Sequence, residues 1–347
     1  MSWRFVIFTD LDATLLDHQT YSFQPARPVL KKLKKMGIPV VLCTSKTRAE
    51  TEAIATKLGL NHPFIVENGG AIFIPEGYFA DSLFNKAGIS IVKKEKYRVI
   101  QLGTPYRRLR SIFKAIRKAV GIRMLGFGDL SPGEIATVSG LSRKEAERAA
   151  RREYDEPFFI ESSPEFVSVE SKRQSGQSRT KRSGDVALLA ESKCWKTGSN
   201  DFNIKDDKNN QNIQNKLYRK IKQMARRYGL RVTAGGRFYH LTGDNDKGRA
   251  VHLLKKLYRL KHGKIITIGL GDSANDWPLL RAVDFPVLVA RPDSRSVEIP
   301  GKKKLLRTRH HGPAGWAGAV NFFLSLQESG FGKGGATDGK KKKNKGR

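Results

Sequence analysis

The stretch Arg4-Phe5-Val6-Ile7-Phe8-Thr9-Asp10-Leu11-Asp12-Ala13-Thr14-Leu15 places two aspartates at the end of an apolar run. The run itself is short, aromatic and β-branched, which is typical of a buried strand in a parallel sheet. Such sheets bind ligands at the carboxyl ends of their strands, and alternation along a strand would turn Asp10 and Asp12 to one side. Buried carboxylates are costly unless they are paired or bind a metal. The stretch therefore indicates a cation site, with a plain acidic turn as the alternative.

Three later segments add polar groups to the same pattern. A second apolar strand, predicted over Gly37–Ser45, ends in hydroxyl groups that include Thr44. Far downstream, Asp246-Lys247-Gly248-Arg249-Ala250 opens a segment whose apolar residues follow helical spacing. A third strand, Lys264–Leu270, ends in Gly271-Asp272-Ser273-Ala274-Asn275-Asp276. Each segment alone is a weak signal, but in order they supply a carboxylate pair, a hydroxyl, a lysine and a second acidic cluster.

These segments resemble the four-motif signature of the haloacid dehalogenase superfamily of phosphatases. The matching residues are Asp10-x-Asp12-x-Thr14, Thr44, Lys247 and Gly271-Asp272-x-x-Asn275-Asp276. The resemblance implies an α/β fold, with a Rossmann-like core built on a parallel sheet and an inserted α/β cap domain. Most members have glycine where this chain has Ala13. Glycine adopts a positive φ freely, whereas alanine would be strained if the position required one.

Further stretches are similar to one family of that superfamily, the mannosyl-3-phosphoglycerate phosphatases. They are the segments 44–50, 66–75, 152–158, 235–240 and 312–316. The resemblance implies a small phosphorylated glycoside as substrate, and hydrolysis of 2-O-mannosyl-3-phosphoglycerate to mannosylglycerate, a compatible solute. Sequence does not separate epimers, so glucosyl-3-phosphoglycerate or another sugar phosphate is the alternative substrate.

The residue types fit the chemistry of phosphoryl transfer, in which positioning and neutralisation of charge matter most. We expect Asp10 to act as the nucleophile and to form an aspartyl-phosphate. Asp12 would protonate the leaving oxygen and then take a proton from the attacking water. Thr44 and Lys247 would hold the phosphoryl oxygens, and Asn275 would orient the phosphate or the nucleophile.

An all-oxygen site with few carboxylates favours Mg²⁺ as the cofactor. Its expected ligands are the Asp10 carboxylate, the backbone carbonyl of Asp12, and Asp272, with Asp276 adjacent.

The rest of the substrate is expected to meet residues after the second motif and in the cap. Lys46 and Arg48 would pair with the glycerate carboxylate, unless they only form an exposed helix start. Arg237 lies beside glycine and aromatic residues and suits a clamp on glycerate or sugar oxygens, with a surface ion pair as the alternative. Asn68 and Gly69 would bring backbone amides close to a ligand, unless they form a plain turn.

Composition narrows the class of protein. The chain has 347 residues and 39% hydrophobic content, enough for about two domains' worth of core. Its two cysteines lack Cys-x-x-Cys spacing, which fits a reducing compartment and gives little support to cysteine catalysis. No apolar run approaches membrane-spanning length, and no signal-peptide pattern is present. We therefore expect a cytoplasmic enzyme that does not bind membranes.

The motif order predicts the domains, because two motifs precede residue 50 and two follow residue 245. We predict a catalytic core over 1–80 and 245–327, a cap over 81–244, and a basic disordered tail over 328–347. Predicted cap elements are strands over Tyr97–Leu102 and Arg231–Leu241, and helices over Tyr106–Val120 and, after the start signal Ser142, Arg143–Glu153. A polar stretch at about 171–215 is predicted to be a mobile insertion.

The net charge of +32 is concentrated in residues 86–123, 171–227 and 302–347. Such a charge favours nonspecific binding of nucleic acid through the basic segments. No nucleic-acid-binding motif accompanies it, and the run Lys340–Lys343 is better explained as a solvated tail. A hypothesis of a different class is a non-catalytic, RNA-associated protein on a degenerate phosphatase fold, which the intact motif residues oppose. The sequence does not indicate the oligomeric state.

Overall fold

The computed structural model of the chain describes residues 4–160, 169, 208–235, 238–292 and 305–328. Three sequence predictions fall on other residues: the clamp at Arg237, residues 171–207 of the insertion, and the tail beyond residue 328. They stay predictions.

The strands of the described chain form two sheets. In chain order they are β1 (Arg4–Thr9), β2 (Val40–Cys43), β3 (Phe64–Val66), β4 (Ala71–Pro75), β5 (Val92–Lys94), β6 (Tyr97–Gln101), β7 (Met124–Gly126), β8 (Asp155–Ile160), β9 (Arg231–Gly235), β10 (Phe238–Thr242), β11 (Ile265–Gly271), β12 (Phe285–Ala290) and β13 (Leu306–His311). The larger sheet has the order β13-β12-β11-β1-β2-β3-β4-β6-β5, and the smaller has the order β7-β8-β10-β9.

Helices cover the sheets. In chain order they are α1 (Arg27–Lys35), α2 (Arg48–Leu58), α3 (Asp81–Ala87), α4 (Tyr106–Val120), α5 (Pro132–Ser139), α6 (Arg143–Ala149), α7 (Lys208–Arg227), α8 (Lys247–His262), α9 (Trp277–Ala282) and α10 (Gly312–Glu328). Of the helices in the described ranges, none combines the length and the apolar character that crossing a membrane requires. The predicted cytoplasmic location stays a prediction.

Strand β1 lies inside the larger sheet, and this position explains why its sequence is almost wholly apolar. It pairs in parallel with β11 on one side and with β2 on the other. Phe5 and Ile7 join the hydrophobic core on one face, whereas Val6 and Phe8 join the core on the opposite face. Both faces of the strand are therefore buried, as expected for a parallel sheet. The predicted α/β class is confirmed.

The smaller sheet uses its two faces differently. On one face, Phe158 and Leu241 pack against the helices α4 and α7 in a separate hydrophobic core. Helix α7 contributes Leu217, Ile221 and Ala225 to that core, spaced four residues apart. The opposite face of the sheet is turned toward a cavity that it shares with the larger sheet.

Two predicted cap elements need correction. The strand at Tyr97 exists, but its placement in the cap is wrong, because β6 pairs antiparallel with β4 in the larger sheet. The Tyr97 ring packs edge-on against Phe64 and Phe73, with ring centroids 5.5 and 5.6 Å apart, which ties the strand to that sheet. The segment Arg231–Leu241 is not one strand, since it divides into the antiparallel pair β9 and β10.

One helix prediction and one loop prediction also need correction at their ends. Helix α6 begins after Ser142 as predicted, with a capping box between Ser142 and Glu145, but it ends at Ala149. It ends early because the backbone N–H groups of Glu153 and Tyr154 donate to the Glu67 carboxylate instead. Helix α7 begins at Lys208, so the loop prediction is wrong over residues 208–215. The predicted division into domains stays a prediction.

Candidate active site

Three aspartates meet at the carboxyl edge of the larger sheet. Asp10 follows β1, and Asp272 follows the neighbouring strand β11. Asp276 lies one short turn after Asp272. All three are buried, and one carboxylate oxygen from each lies within 4.8 Å of the others. The strand-end pattern in the sequence therefore predicted a real juxtaposition.

Lys247 is the cation of this cluster. It is the first residue of α8, and the side chain of Asp246 caps that helix by accepting the backbone N–H of Arg249 at 2.8 Å. The cap fixes the helix start, and the lysine ammonium donates to Asp10 Oδ1 at 2.7 Å and to Asp276 Oδ1 at 2.6 Å. Only 2% of the Lys247 side chain is exposed.

Burial and mutual repulsion set the electrostatics of the cluster. Burial, with the charge of Asp276, raises the pKa of Asp10 well above its ordinary value. The same two causes raise the pKa of Asp272 to about 7. Burial alone would lower the pKa of Lys247, but the adjacent carboxylates of Asp10 and Asp276 outweigh it and raise that pKa. The three buried carboxylates thus meet the Lys247 ammonium and the Arg291 guanidinium, which leaves an excess of one negative charge when all three are ionised.

The two later aspartates are also held by neighbours. Asp272 accepts from Thr14 Oγ1 at 3.2 Å and from the Arg291 guanidinium at 3.2 Å. Asp276 accepts from the backbone N–H groups of Asp272 and Ser273 at 3.1 and 3.2 Å. These bonds fix both carboxylates in place before any ligand binds.

Asp12 and Lys46 form an ion pair beside the cluster, with 3.0 Å between Asp12 Oδ1 and Lys46 Nζ. The Asp12 side chain is 38% exposed, so unlike Asp10 it reaches solvent. Ala13 between the two aspartates has φ +58°, and the strain that the sequence indicated at this position is present. The positive charge of Lys46 thus faces the carboxyl group of Asp12, the predicted proton donor.

Thr44, Asn68 and Asn275 are joined by hydrogen bonds, and Gly69 lies against the start of α8. Thr44 is buried at the end of β2, and its carbonyl accepts the backbone N–H of Asn68 at 3.0 Å. The side-chain amide of Asn275 donates to Asn68 Oδ1 at 2.9 Å. Gly69 has φ +87°, and a Cβ there would overlap the carbonyl of Asp246. In this structure Asn68 therefore supports Asn275, and Gly69 lets the Lys247 helix approach.

Arg48 has carboxylate partners within the protein, whereas the sequence analysis predicted that it pairs with the glycerate carboxylate of the substrate. Its guanidinium pairs with Glu95 at 3.0 Å, Glu153 at 3.2 Å and Glu52 at 3.6 Å. With three carboxylate partners it anchors helix α2 to the neighbouring segments. A contact between Arg48 and substrate stays a prediction.

A cavity of about 260 Å³ lies between the aspartates and the smaller sheet. Its wall on the side of the larger sheet includes Asp10, Asp12, Lys46, Asp272, Asn275 and Arg291, and the facing wall includes Phe127, Arg152, Pro157, Phe238 and His240. The cavity therefore extends from Asp10 to the smaller sheet.

Among the cavity residues that sequence reasoning missed are Arg152, His240 and Arg291. Arg291 follows the strand Phe285–Ala290, so the strand-end rule that found Asp272 would also have found it. Arg152 and His240 lie in segments that resemble the phosphatase family, but no periodicity in those segments marks which side chains face the cavity.

The two walls are joined by polar contacts across the mouth of the cavity. Glu67, fully buried, accepts the backbone N–H of Glu153 at 3.0 Å. Arg152 donates to the carbonyl of Ser45 at 3.0 Å. Burial raises the pKa of Glu67 to about 8, although the charge of Arg152 lowers it. A carboxyl group with an altered pKa therefore lies at the junction of the two sheets.

Known proteins are similar to this chain in sequence and in fold. A family model described as haloacid dehalogenase-like hydrolase matches residues 7–101. A glucosyl-3-phosphoglycerate/mannosyl-3-phosphoglycerate phosphatase of Methanococcoides burtonii is 38% identical over 317 residues, which are 91% of this chain and 96% of that protein. A mannosyl-3-phosphoglycerate phosphatase of Pyrococcus furiosus is 32% identical over 284 residues, 82% of this chain and 90% of that protein.

A structural match agrees with these relatives. The crystal structure of Thermoplasma acidophilum 0175 superposes with a TM-score of 0.53 at 16% identity, covering 93% of this chain and 99% of that one. At this identity the match indicates the fold alone.

Proposed function

The chain belongs to the mannosyl-3-phosphoglycerate phosphatase family of haloacid dehalogenase-like hydrolases, and we propose that it removes phosphate from both mannosyl-3-phosphoglycerate and glucosyl-3-phosphoglycerate. Membership of this family makes it a phosphoric monoester hydrolase. The relative that is 38% identical carries both substrates in its name, which supports the dual specificity. The observation that carries the proposal is the Asp10, Asp272 and Asp276 cluster beneath a cavity large enough for a glycoside.

The donor set fits a hard divalent cation, because all its side-chain donors are carboxylate oxygens. Three ionised carboxylates beside the Lys247 ammonium and the Arg291 guanidinium also retain one negative charge that a divalent cation would offset. We infer that Asp10, Asp272 and the backbone carbonyl of Asp12 hold Mg²⁺, with Asp276 beside them. When bound, the cation would supply positive charge that offsets repulsion between the Asp10 carboxylate and the substrate phosphate.

In the first step an Asp10 carboxylate oxygen attacks phosphorus and the bond from phosphorus to the glycerate oxygen breaks. Asp12 donates a proton to the departing oxygen, a role that its partly exposed position suits. In the second step a water molecule attacks phosphorus, Asp12 takes its proton, and the bond from phosphorus to Asp10 breaks. Phosphate leaves, and both aspartates return to their starting protonation.

Two lysines prepare these steps. Lys247 holds the Asp10 carboxylate at 2.7 Å, which fixes the nucleophile and places an ammonium near the incoming phosphoryl oxygens. Lys46 pairs with Asp12 at 3.0 Å and so orients the proton donor. Its ammonium also lies in the cavity wall, where it would bind an anionic group of the substrate. Thr44 and Asn275 complete the proposed phosphate site.

Family membership, with every motif residue in place, argues against the hypothesis of a non-catalytic RNA-associated protein. Nonspecific binding of nucleic acid through the basic segments is a separate property and stays a prediction, as does the oligomeric state. We keep a cytoplasmic location as part of the proposal.

Phosphate release across a panel of substrates tests the proposed function. The panel comprises mannosyl- and glucosyl-3-phosphoglycerate, 3-phosphoglycerate, simple hexose phosphates and an aryl phosphate, each with Mg²⁺ and again with EDTA. We expect the two glycosyl-3-phosphoglycerates to have the highest kcat/KM, and EDTA to abolish turnover. Preference for a simple hexose phosphate would contradict the substrate assignment, and full activity in EDTA would contradict the metal.

A further inference from the structure

The smaller sheet presents one face to the cavity, and alternation along its strands decides which residues that face carries. His240 on β10 is paired with Pro157 on β8, and Asp155 lies two residues before Pro157 on the same face. Pro157, Phe238 and His240 all line the cavity. The neighbouring residues Phe158 and Tyr239 point the other way, into the core beneath α4. The register therefore puts His240 in the wall opposite the aspartates.

Asp155 fixes the orientation and the tautomer of this histidine. Its buried carboxylate lies 2.7 Å from His240 Nδ1. A carboxylate only accepts hydrogen bonds, so Nδ1 carries a proton, and in the neutral ring with that tautomer Nε2 is an acceptor. Among the residues that the structure describes, none is hydrogen-bonded to Nε2. A buried ring held in this way offers one ring nitrogen, fixed in direction, to a ligand in the cavity.

The surrounding charges favour a neutral donor over an anion as the partner of Nε2. Arg152 lines the same wall, and its guanidinium lies 3.7 Å from the same Asp155 oxygen. Its charge also faces the buried carboxylates of Glu50 and Glu67. One guanidinium shared among three carboxylates leaves little attraction for a further anion. A hydroxyl group, which donates without bringing charge, fits better.

The shape of the wall points to the same kind of ligand. Phe127 and Phe238 meet edge-to-face beside His240, with ring centroids 5.0 Å apart, and both line the cavity. An apolar surface with one precisely oriented polar atom is typical of a site that binds a small uncharged ring. This wall is also tied to the phosphate end, because Asn68 links Asp155 at 3.5 Å to Asn275 at 2.9 Å.

From this geometry we propose that His240 is a specificity residue whose Nε2 accepts a hydrogen bond from a hydroxyl of the glycosyl group, and that Asp155 holds it in the accepting tautomer. The proposal rests on the proposed function for the nature of the substrate. It assigns the glycosyl group to the wall formed by Phe127, Phe238 and His240, and leaves the glycerate carboxylate on the side of Lys46 and Arg291. His240 acts on recognition and has no part in the proton transfers.

The test compares His240→Phe, which keeps a ring and loses the acceptor, with His240→Gln, which retains an acceptor oxygen. The readout is kcat/KM for a glycosyl-3-phosphoglycerate divided by kcat/KM for an aryl phosphate that lacks the sugar. We expect His240→Phe to lower this ratio about tenfold, the loss of one hydrogen bond, and His240→Gln to lower it less. His252→Gln, at an exposed position on α8, should leave the ratio unchanged.

Deoxy analogues of the substrate identify the hydroxyl directly. Removal of one particular sugar hydroxyl should cost the wild-type enzyme about tenfold in kcat/KM, and should cost His240→Phe almost nothing further. Equal losses of His240→Phe on the glycoside and the aryl phosphate would overturn the proposal, as would additive losses for every analogue. If the wild type cleaves neither glycosyl-3-phosphoglycerate, the proposed function fails, and the same comparison on the best sugar phosphate of the panel still decides the role of His240.

Discussion

The ammonium of Lys247 lies 2.7 Å from Asp10 Oδ1, across 237 positions of sequence. The contact joins the strand β1 to the helix α8, which lies between β10 of the smaller sheet and β11, where the chain re-enters the larger sheet. Asp10, the proposed nucleophile, is therefore positioned by a residue from a distant part of the chain. A change in the intervening chain that displaced α8 would separate the Lys247 ammonium from the Asp10 carboxylate.

Replacing Lys247 with methionine should affect both stability and catalysis. The change leaves three buried carboxylates without their ammonium, so we expect a loss of about 3–5 kcal/mol in the free energy of unfolding and at least a roughly 100-fold lower kcat. Urea denaturation and steady-state kinetics measure the two effects. Lys86→Met, at an exposed position on α3, is the control and should change neither. Wild-type stability of Lys247→Met would contradict the charge balance described for the cluster.

Ala13→Gly should stabilise the protein. Ala13 has φ +58°, which costs an L-residue about 1 kcal/mol more than glycine, so relief of that strain should raise the free energy of unfolding by about 1 kcal/mol. Ala119→Gly, at an exposed position inside α4, should have the opposite sign and a similar size. Denaturation of both variants in urea checks the pair. A loss of stability in Ala13→Gly would mean that packing of the methyl group outweighs the backbone strain.

Glu67 should make stability fall as pH rises. Burial raises its folded pKa to about 8, from 4.5 in the unfolded chain, so between these values the folded state binds more protons and loses stability with increasing pH. Glu67→Gln removes the titration. We expect the wild type to lose roughly 4 kcal/mol more than Glu67→Gln between pH 5 and pH 9.

Urea denaturation at both pH values measures that difference. Glu328→Gln, whose parent side chain is 59% exposed, is the control and should follow the wild type. Parallel pH profiles for wild type and Glu67→Gln would show that Glu67 is ionised in the folded protein throughout.

Mg²⁺ should stabilise the wild-type protein and should do so through Asp272. Because a ligand that binds only the folded state raises stability by mass action, we expect millimolar Mg²⁺ to raise the unfolding midpoint. Asp272→Asn should lose most of that increase, whereas Asp244→Asn, at a side chain that is 65% exposed, should keep it. Differential scanning calorimetry with Mg²⁺ and with EDTA makes the comparison. Equal stabilisation of Asp272→Asn and wild type would place the metal elsewhere.

The sequence was most informative where chemistry depends on strand ends. Apolar runs that end in Asp10, Thr44 and Asp272 were sufficient to predict that these residues converge, because parallel strands bring their carboxyl ends to one edge. Lys247 was found only in combination with them. For Ala13 the sequence indicated only that a positive φ would be strained, and the structure has φ +58° there.

The sequence did not predict which strands and side chains pair when they lie far apart along the chain. Nothing in the segment around Tyr97 shows that its strand joins the larger sheet, because the choice depends on aromatic packing against Phe64 and Phe73. Arg48 looked free for a substrate because its partners Glu95 and Glu153 lie far along the chain. Local patterns describe single elements, and these partners are set by how the elements assemble.

Covalent labelling at Asp10 is the most direct test of the proposed mechanism. The enzyme is mixed with ³²P-labelled mannosyl-3-phosphoglycerate and Mg²⁺, quenched in acid within one turnover, and digested for mass spectrometry. We expect an acid-stable, hydroxylamine-labile phosphate on the peptide that contains Asp10, and none in Asp10→Asn, whose circular dichroism should match the wild type. Turnover in Asp10→Asn near the wild-type rate, or label on a different residue, would contradict the assignment of Asp10 as the nucleophile.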